Sequence, residues 1–178
     1  MGSYRLRNGL DLLIRNPRIE DAESLISLMK QADTETLFLA REPGEFQVSI
    51  EGEERFIQNS IDDDDRTMFV AEYEGKIIGL CSIGLVQGYA RYRHRAGVAF
   101  VLLKEYWNLG IGGKMMVECM EWAKLHNIEK LELDVVTTNT KAITMYEGFG
   151  FVKTGTIQNA LKYADGTYAD EHNMALFL

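Results

Sequence analysis

The chain has 178 residues, which is the size of one domain with a single buried core, so we expect one domain over residues 1–178. The formal net charge of −8 disfavours a nucleic-acid-binding protein, which must neutralise phosphates, and is compatible with a cationic partner such as an amine. The absence of a charged-then-apolar leader and of an apolar run of about 18 residues disfavours a membrane protein and predicts a cytoplasmic location.

The first third of the sequence predicts a strand and two helices. Residues 10–15 are apolar and extended, and after Pro17 the apolar positions of residues 19–29 recur at helical spacing. Residues 34–46 are irregular and predict a loop. A second helix is predicted over Ile50–Ile61, with Phe56, Ile57 and Ile61 along one face. The acidic residues 62–65, with Glu51, Glu53 and Glu54 upstream, are interpreted as a solvated helix end and loop, the alternative being an attractive surface for a cationic substrate.

The middle of the chain predicts a hairpin and then a strand, a turn and a helix. Residues 68–73 and 76–85 have strand patterns joined by Glu74-Gly75, a tight-turn pair. Residues 98–103 are apolar, glycines follow, and an amphipathic helix begins at about Ile111. Glycines between a strand and a helix permit close approach to the unpaired N–H groups of the first helical turn, so this turn is suited to a pyrophosphate.

The last third predicts a strand at residues 130–139, a short helix over residues 139–147 that Gly148 ends, and a final hairpin around Asp165-Gly166. The fold class is therefore α/β (α+β), with a mixed, mostly antiparallel sheet of about six to seven strands and helices on both faces. The terminal residues 175–178 are apolar and predict either a sheet edge available for pairing or an internal strand. Cys81 and Cys119 show no metal-ligand spacing, so we interpret them as buried apolar residues and expect no metal.

Two common nucleotide motifs do not fit the glycine turn. A Walker A loop requires Ser or Thr after Gly-Lys, whereas Met115 follows Gly113 and Lys114. A dinucleotide fingerprint that starts at Gly110 and Gly112 would also have Met115 at its third glycine position.

Residues 107–112, Trp-Asn-Leu-Gly-Ile-Gly, resemble the acyl-CoA loop of the GNAT superfamily of N-acetyltransferases, whose pattern is Gln/Arg-x-x-Gly-x-Gly/Ala after a strand. Trp107 stands where Gln or Arg is usual. A second GNAT feature is Asn139 with Tyr146 seven residues later, nearly two helical turns, so both side chains project from one face. The resemblance covers residues 67–151, and the ribosomal-protein and polyamine N-acetyltransferase branches are the most similar.

The resemblance implies a GNAT fold, acetyl-CoA as cosubstrate and a homodimer. It assigns the thioester and the pantetheine arm to the backbone of the central strand, where splaying from the next strand would free an N–H group for the oxyanion. The implied cofactor-binding residues are Phe100, Val101, Leu102, Trp107, Asn108, Leu109, Gly110, Ile111, Gly112, Gly113, Asn139 and Tyr146.

The same resemblance makes Tyr146 the candidate acid for the leaving thiolate. Asp134 is the candidate base, because it lies five residues before Asn139, where the ribosomal-protein acetyltransferases carry a catalytic Glu. An alkyl amine, with a reference pKa of about 10.4, needs such a base at neutral pH. Glu72 and His94 are alternative bases.

The predicted function is an acetyl-CoA-dependent N-acetyltransferase that acts by direct transfer in a ternary complex. The acceptor is a primary amine, either a small polyamine-like amine or a protein or peptide N-terminus. The alternatives are an acyltransferase that uses another acyl-CoA or an alcohol acceptor, and a non-catalytic CoA-binding regulatory module.

Overall fold

The computed structural model describes residues 2–6, 9 and 11–178. Within them, one sheet is flanked by four α-helices. The helices are α1 (Ala22–Glu35), α2 (Ile50–Ile61), α3 (Ile111–Leu125) and α4 (Thr140–Gly148). The strands are β1 (Gly2–Arg5), β2 (Asp11–Arg15), β3 (Arg66–Tyr73), β4 (Lys76–Leu85), β5 (Arg95–Leu102), β6 (Lys130–Val136), β7 (Val152–Lys162) and β8 (Tyr168–Phe177).

The strand order is β1-β2-β3-β4-β5-β6-β8-β7, and all neighbours are antiparallel except β5 and β6, which are parallel. This confirms the predicted mixed, mostly antiparallel sheet. The sheet has eight strands rather than six to seven, because Gly2–Arg5 pairs with β2 at the edge. Those four residues are too short and polar to show a strand pattern. Leu10, which we assigned to the first strand, lies outside the described residues.

Two hydrophobic cores lie on opposite faces of the sheet. The first core packs α3 and α4 against it and includes Ala96 and Val98 of β5. The second core packs α1 and α2 against the other face, and Val101 of β5 packs against it. Because side chains alternate along a strand, β5 contributes even-numbered residues to the first face and odd-numbered residues to the second.

The α2 bounds match the prediction, but its buried face does not. Glu53, Ile57 and Ser60 are buried, whereas Phe56 and Ile61 are 50% and 52% exposed. The helix is turned so that Ile57 enters the second core, and hydrophobic periodicity cannot reveal this when the inner face carries a glutamate.

β8 lies between β6 and β7, and Ala175 pairs with both of them, so most of β8 is internal to the sheet. Leu176 and Phe177 pair with β6 alone. None of the helices in the described part of the chain is long and apolar enough to cross a membrane.

Candidate active site

Strands β5 and β6 pair over three rungs and then separate. The paired residues run from Arg95 with Lys130 to Gly97 with Glu132. Glu132 binds Arg95 through two contacts of 2.7 Å and Lys130 at 2.6 Å. Hydrogen bonding from Arg95 lowers the pKa of the Glu132 carboxyl. We call these three side chains, Arg95, Lys130 and Glu132, the clasp. Beyond it, the diverging strands form a wedge that opens toward the C-terminal ends of β5 and β6.

The ladder between β4 and β5 determines which backbone groups face the wedge. Leu103 N–H donates to the Ile78 carbonyl at 3.0 Å, and Val86 N–H donates to the Arg95 carbonyl at 3.2 Å. Odd residues of β5 therefore bond to β4, and alternation directs the N–H and C=O groups of Phe100 and Leu102 toward the wedge. The backbone groups of Val101, which we also predicted as a cofactor contact, face β4.

The glycine turn connects β5 to α3. Asn108 and Gly110 have φ of 63° and 81°, and Gly110 is the residue that precedes α3. The N–H of Lys114 makes the first helical bond, to the Gly110 carbonyl, so the N–H groups of Ile111 to Gly113 precede the helical ladder. A Cβ on Gly110 would meet nothing within 4 Å, whereas one on Gly112 would lie 3.0 Å from Met145 Sδ. Gly110 therefore supplies the left-handed turn, and Gly112 lets α3 approach α4.

Trp107 has a structural role at this turn. Its indole N–H donates to the Leu102 carbonyl at 2.8 Å, and its ring stacks on Phe38 with centroids 6.4 Å apart. The side chain thus fastens the turn to the end of β5 and to the loop after α1. The Trp107 side chain makes its hydrogen bond and its ring contact within the protein. A Trp can therefore occupy this position, where Gln or Arg is usual, as a structural residue of the turn. Leu109 packs against the first core.

Tyr146 lies on α4 against the central strand. Its ring contacts Phe100 and Phe151 at centroid distances of 6.1 and 5.8 Å, and only 7% of the residue is exposed. Burial, with a smaller contribution from Cys119, raises its pKa to about 12. Its hydroxyl makes no hydrogen bond with the described residues. Asn139 caps α4, accepting from Ala142 N–H at 3.4 Å. The fold therefore brings the second motif to the strand that precedes the first.

Asp134 faces the opposite side of the sheet, with the odd residues of β5. Its Oδ1 accepts a 2.5 Å hydrogen bond from Asn173, its partner across β6 and β8. Glu171 lies diagonally next to it, and burial and the charge of Asp134 raise the Glu171 pKa. Asn173 and Glu171 carry no sequence signal that links them to this site, because only the pairing of β6 with β8 brings them to Asp134.

The two alternative bases are less favourably located. Glu72 accepts a 2.8 Å hydrogen bond from Arg15, which also binds Asp21, so its charge is neutralised within the protein. His94 precedes β5, on the closed side of the clasp. Six residues separate it from Phe100, about 20 Å along a strand.

Ala99 marks an opening on the second face. It is exposed although β5 is the fifth of eight strands, and it pairs with Ser82 of β4. Ser82 and Gly84 line a pocket of about 400 Å³ together with Phe56 and Ser60 of α2. This small-residue floor was not found from the sequence, since its members come from separate strands.

The acidic residues 62–65 contribute two carboxylates to the pocket wall, and both are paired. Asp63 binds Arg66 at 2.6 Å, and Asp65 binds Arg93 at 3.4 Å. The two buried cysteines lie with Sγ atoms 3.7 Å apart, which agrees with packing residues. The described residues hold no group of three His, Cys, Asp or Glu side chains arranged to bind a metal.

Known proteins share this architecture and sequence. The chain is 26% identical over 168 residues, 90% of each chain, to an N-alpha-acetyltransferase of Sulfurisphaera tokodaii. An acetyltransferase of the GNAT family from Streptococcus pneumoniae superposes with a TM-score of 0.88 and 29% identity, covering 94% of this chain and 99% of that one. The yncA protein of Salmonella typhimurium, solved with acetyl-CoA as its cofactor, shares the fold at a TM-score of 0.82 and 16% identity, covering 94% of each chain.

The sequence profile of the acetyltransferase (GNAT) family matches residues 28–151, more than half of the chain. This span includes the glycine turn, the wedge and the Asn139 and Tyr146 pair. The chain therefore belongs to the acetyltransferase (GNAT) family and is an acyltransferase.

Proposed function

We propose that this protein transfers the acetyl group of acetyl-CoA to a primary amine, directly within a ternary complex. The observation that carries the proposal is the wedge between β5 and β6, with the glycine turn at its open end and Tyr146 beside it. The wedge opens both faces of the sheet at one point. A cofactor on the α3 and α4 face and an amine on the α1 and α2 face can therefore meet there.

The residues of the turn fit the pyrophosphate of acetyl-CoA. The N–H groups of Ile111, Gly112 and Gly113 are the unpaired donors of the helix start, where the helix dipole also favours an anion. Free space at Gly110 allows close approach. The backbone of Phe100 and Leu102 would hold the pantetheine arm, while the Trp107 ring, Asn108, Leu109 and Asn139 would line its path. When bound, acetyl-CoA supplies a thioester as the activated acetyl donor.

The Phe100 N–H is a suitable donor to the thioester carbonyl oxygen as negative charge develops on it. Tyr146 would donate a hydrogen bond to the leaving sulfur. A phenol with a pKa of about 12 stays protonated throughout the neutral range. Since the reference thiol pKa is about 8.5, Tyr146 would stabilise the thiolate chiefly by hydrogen bonding rather than by complete proton transfer.

Asp134 is the proposed base. Its carboxylate is on the face where the amine would arrive, and Asn173 fixes its orientation through the 2.5 Å hydrogen bond. Exposure of Ala99 leaves the approach to the wedge uncovered on this face. The first proton would pass from the ammonium nitrogen to Asp134, directly or through one water, and the freed lone pair would then attack the carbonyl carbon. As the N–C bond forms and the C–S bond breaks, the nitrogen would lose its second proton to the released thiolate or to water.

A protein or peptide N-terminus is the favoured acceptor. The similarity to an N-alpha-acetyltransferase over 90% of both chains supports it. The pairing of Asp63 with Arg66 and of Asp65 with Arg93 leaves that wall of the pocket without excess negative charge, which disfavours a polycation such as a polyamine. The homodimer implied by the sequence stays a prediction.

An amine-panel assay tests the proposal. Release of free thiol from acetyl-CoA would be followed with short peptides of different N-terminal residues, with the same peptides blocked at the N-terminus, and with spermidine. We expect turnover with free peptides and none with blocked ones. Binding of CoA, detected by a rise in Tm, without turnover on any amine would contradict the proposal.

A further inference from the structure

Glu53 is a buried carboxylate of α2 that the proposed mechanism leaves unused. It is 5% exposed, and its side chain makes no hydrogen bond or ion pair with the described residues. The other two buried carboxylates of the described chain have partners: Arg41 binds Asp33 at 2.9 Å, and the Tyr4 hydroxyl donates to Glu118 at 2.8 Å. Burial alone raises the pKa of Glu53. No fully buried side-chain oxygen of the described residues lacks a hydrogen-bond partner, so the unpaired carboxylate of Glu53 reaches the surface. There it is partly desolvated and open to a bound cation.

The inner face of α2 directs Glu53 toward the open floor of the sheet. Glu53, Ile57 and Ser60 are spaced i, i+4 and i+7, so they share one face of the helix. Ile57 packs in the second core, and Ser60 lines the pocket over Ser82 and Gly84 of the sheet.

The position of Glu53 along the sheet follows from the path of the chain. Residues 62–65 join the C-terminal end of α2 to the start of β3, so the two elements run in opposite directions. Earlier residues of α2 therefore lie beside later residues of β3. Seven residues from Ser60 to Glu53 span about 10 Å of helix, which is about three residues of strand. Met68, Ser82 and Ala99 are level across β3, β4 and β5. Ser82 and Gly84 are level with Ala99 and Gly97, so Glu53 comes to the level of residues 100–102, at the end of β5 that borders the wedge.

We propose that Glu53 binds the ammonium group of the acceptor, on the opposite side of the exposed Ala99 from Asp134. This assignment rests on the proposed function. A peptide α-amino group has a reference pKa of about 8 and therefore arrives mostly protonated at neutral pH, and a carboxylate without an internal partner is a suitable counter-ion for it. Glu53 holds the cation and Asp134 takes its proton. A neutral alcohol offers no charge to Glu53, so the site selects amines over alcohols.

Isosteric neutralisation tests the role of Glu53. In E53Q the side chain keeps its shape and loses its charge, so we expect the amine KM to rise about 10- to 100-fold, the range for losing a hydrogen bond to a charged group. The kcat and the acetyl-CoA KM should stay within about twofold. The control E54Q makes the same charge change on the neighbouring position of α2, outside its buried stripe, and should behave as wild type.

Two further measurements are independent of turnover. Tetramethylammonium, a cation that cannot be acetylated, should raise the Tm of the wild type and of E54Q but not of E53Q. The Tm of E53Q without ligand should equal or exceed that of the wild type, because no internal partner of Glu53 is lost. A Tm several degrees lower would show a structural role and would overturn the proposal.

The outcomes separate the inference from the proposed function. An active wild type with an unchanged amine KM in E53Q would overturn the Glu53 assignment and leave acetyl transfer intact. If the wild type acetylates no amine, the proposed function fails, and the tetramethylammonium shift alone decides whether Glu53 binds a cation.

Discussion

The two faces of β5 present different kinds of functional residue. On the α3 and α4 face, the proposed cofactor site would use backbone groups of one continuous segment, the end of β5, the turn and the first residues of α3. On the α1 and α2 face, the acceptor site that we propose would combine side chains of α2, β6 and β8 around Ala99. A backbone site is specified by local sequence, whereas an assembled side-chain site depends on how distant strands pair. The donor is therefore far easier to infer than the acceptor.

The largest expected effect concerns Tyr146, which lies on the α3 and α4 face, against Phe100 of β5. We expect Y146F to lower kcat by about 10²- to 10⁴-fold, because the developing thiolate loses its hydrogen-bond donor. The Kd for CoA should change little. Because the Tyr146 pKa is raised to about 12, its ionisation should not reduce wild-type kcat at pH 7 to about 10. Steady-state kinetics and calorimetric titration measure both quantities, and an unaltered kcat would remove Tyr146 from the mechanism.

Substitutions on the two faces should change the amine KM and the affinity for CoA independently of each other. A99L adds bulk to the exposed floor and should raise the amine KM by about tenfold or more, leaving the acetyl-CoA KM within about twofold. G110A forces a side chain into a backbone with φ of 81° and should weaken CoA binding about tenfold, through strain of about 1–2 kcal/mol in the turn.

Gly75 provides a matched control for the G110A variant. It has φ of 76° and open space around it, but it lies in the hairpin between β3 and β4. G75A should therefore lose similar stability and keep the wild-type CoA affinity. If G75A and G110A weakened CoA equally, or if A99L raised both KM values together, the assignment of one substrate to each face would be wrong.

The smallest expected effect concerns the clasp, which lies where β5 and β6 are still paired and so sets the point at which the two strands separate. E132Q should lower the free energy of unfolding by about 1 kcal/mol at pH 7, since Arg95 and Lys130 lose their carboxylate. The pKa of Glu132 is lowered from its usual 4.5, so its contribution is present above that value and is lost as the pH falls through the lower, folded value. Denaturation at pH 7 and pH 3 checks this, and a difference that stays constant between the two would contradict it.

The sequence predicts features that arise within short segments. The bounds of α2, the Glu74-Gly75 hairpin and the start of α4 next to Asn139 follow from local periodicity and turn chemistry. The resemblance of the glycine turn and of the Asn139 and Tyr146 pair to the GNAT pattern also predicts that the turn and Tyr146 lie close together. The roles assigned to these site residues remain predictions.

Features that depend on contacts between distant segments were not predictable. The bond between Asp134 and Asn173 joins residues 39 positions apart, and the register of β6 with β8 creates it. The backbone groups of Val101 face β4 because of the pairing between β4 and β5. The rotation of α2 that buries Glu53 likewise depends on the elements against which the helix packs. A shift of one residue in the pairing of a strand would move all of its side chains to the other face of the sheet, and no local pattern in this chain specifies the pairing.

Trp107 places a fluorescent side chain at the glycine turn. The chain has two tryptophans, and Trp122 stacks on His126 near the other end of α3, about 20 Å of helix from the turn. Replacing Trp122 with Phe would leave a single indole that is stacked on Phe38 and bonded to the end of β5. Its emission would respond to a nucleotide seated against it, so binding could be followed in real time without a label.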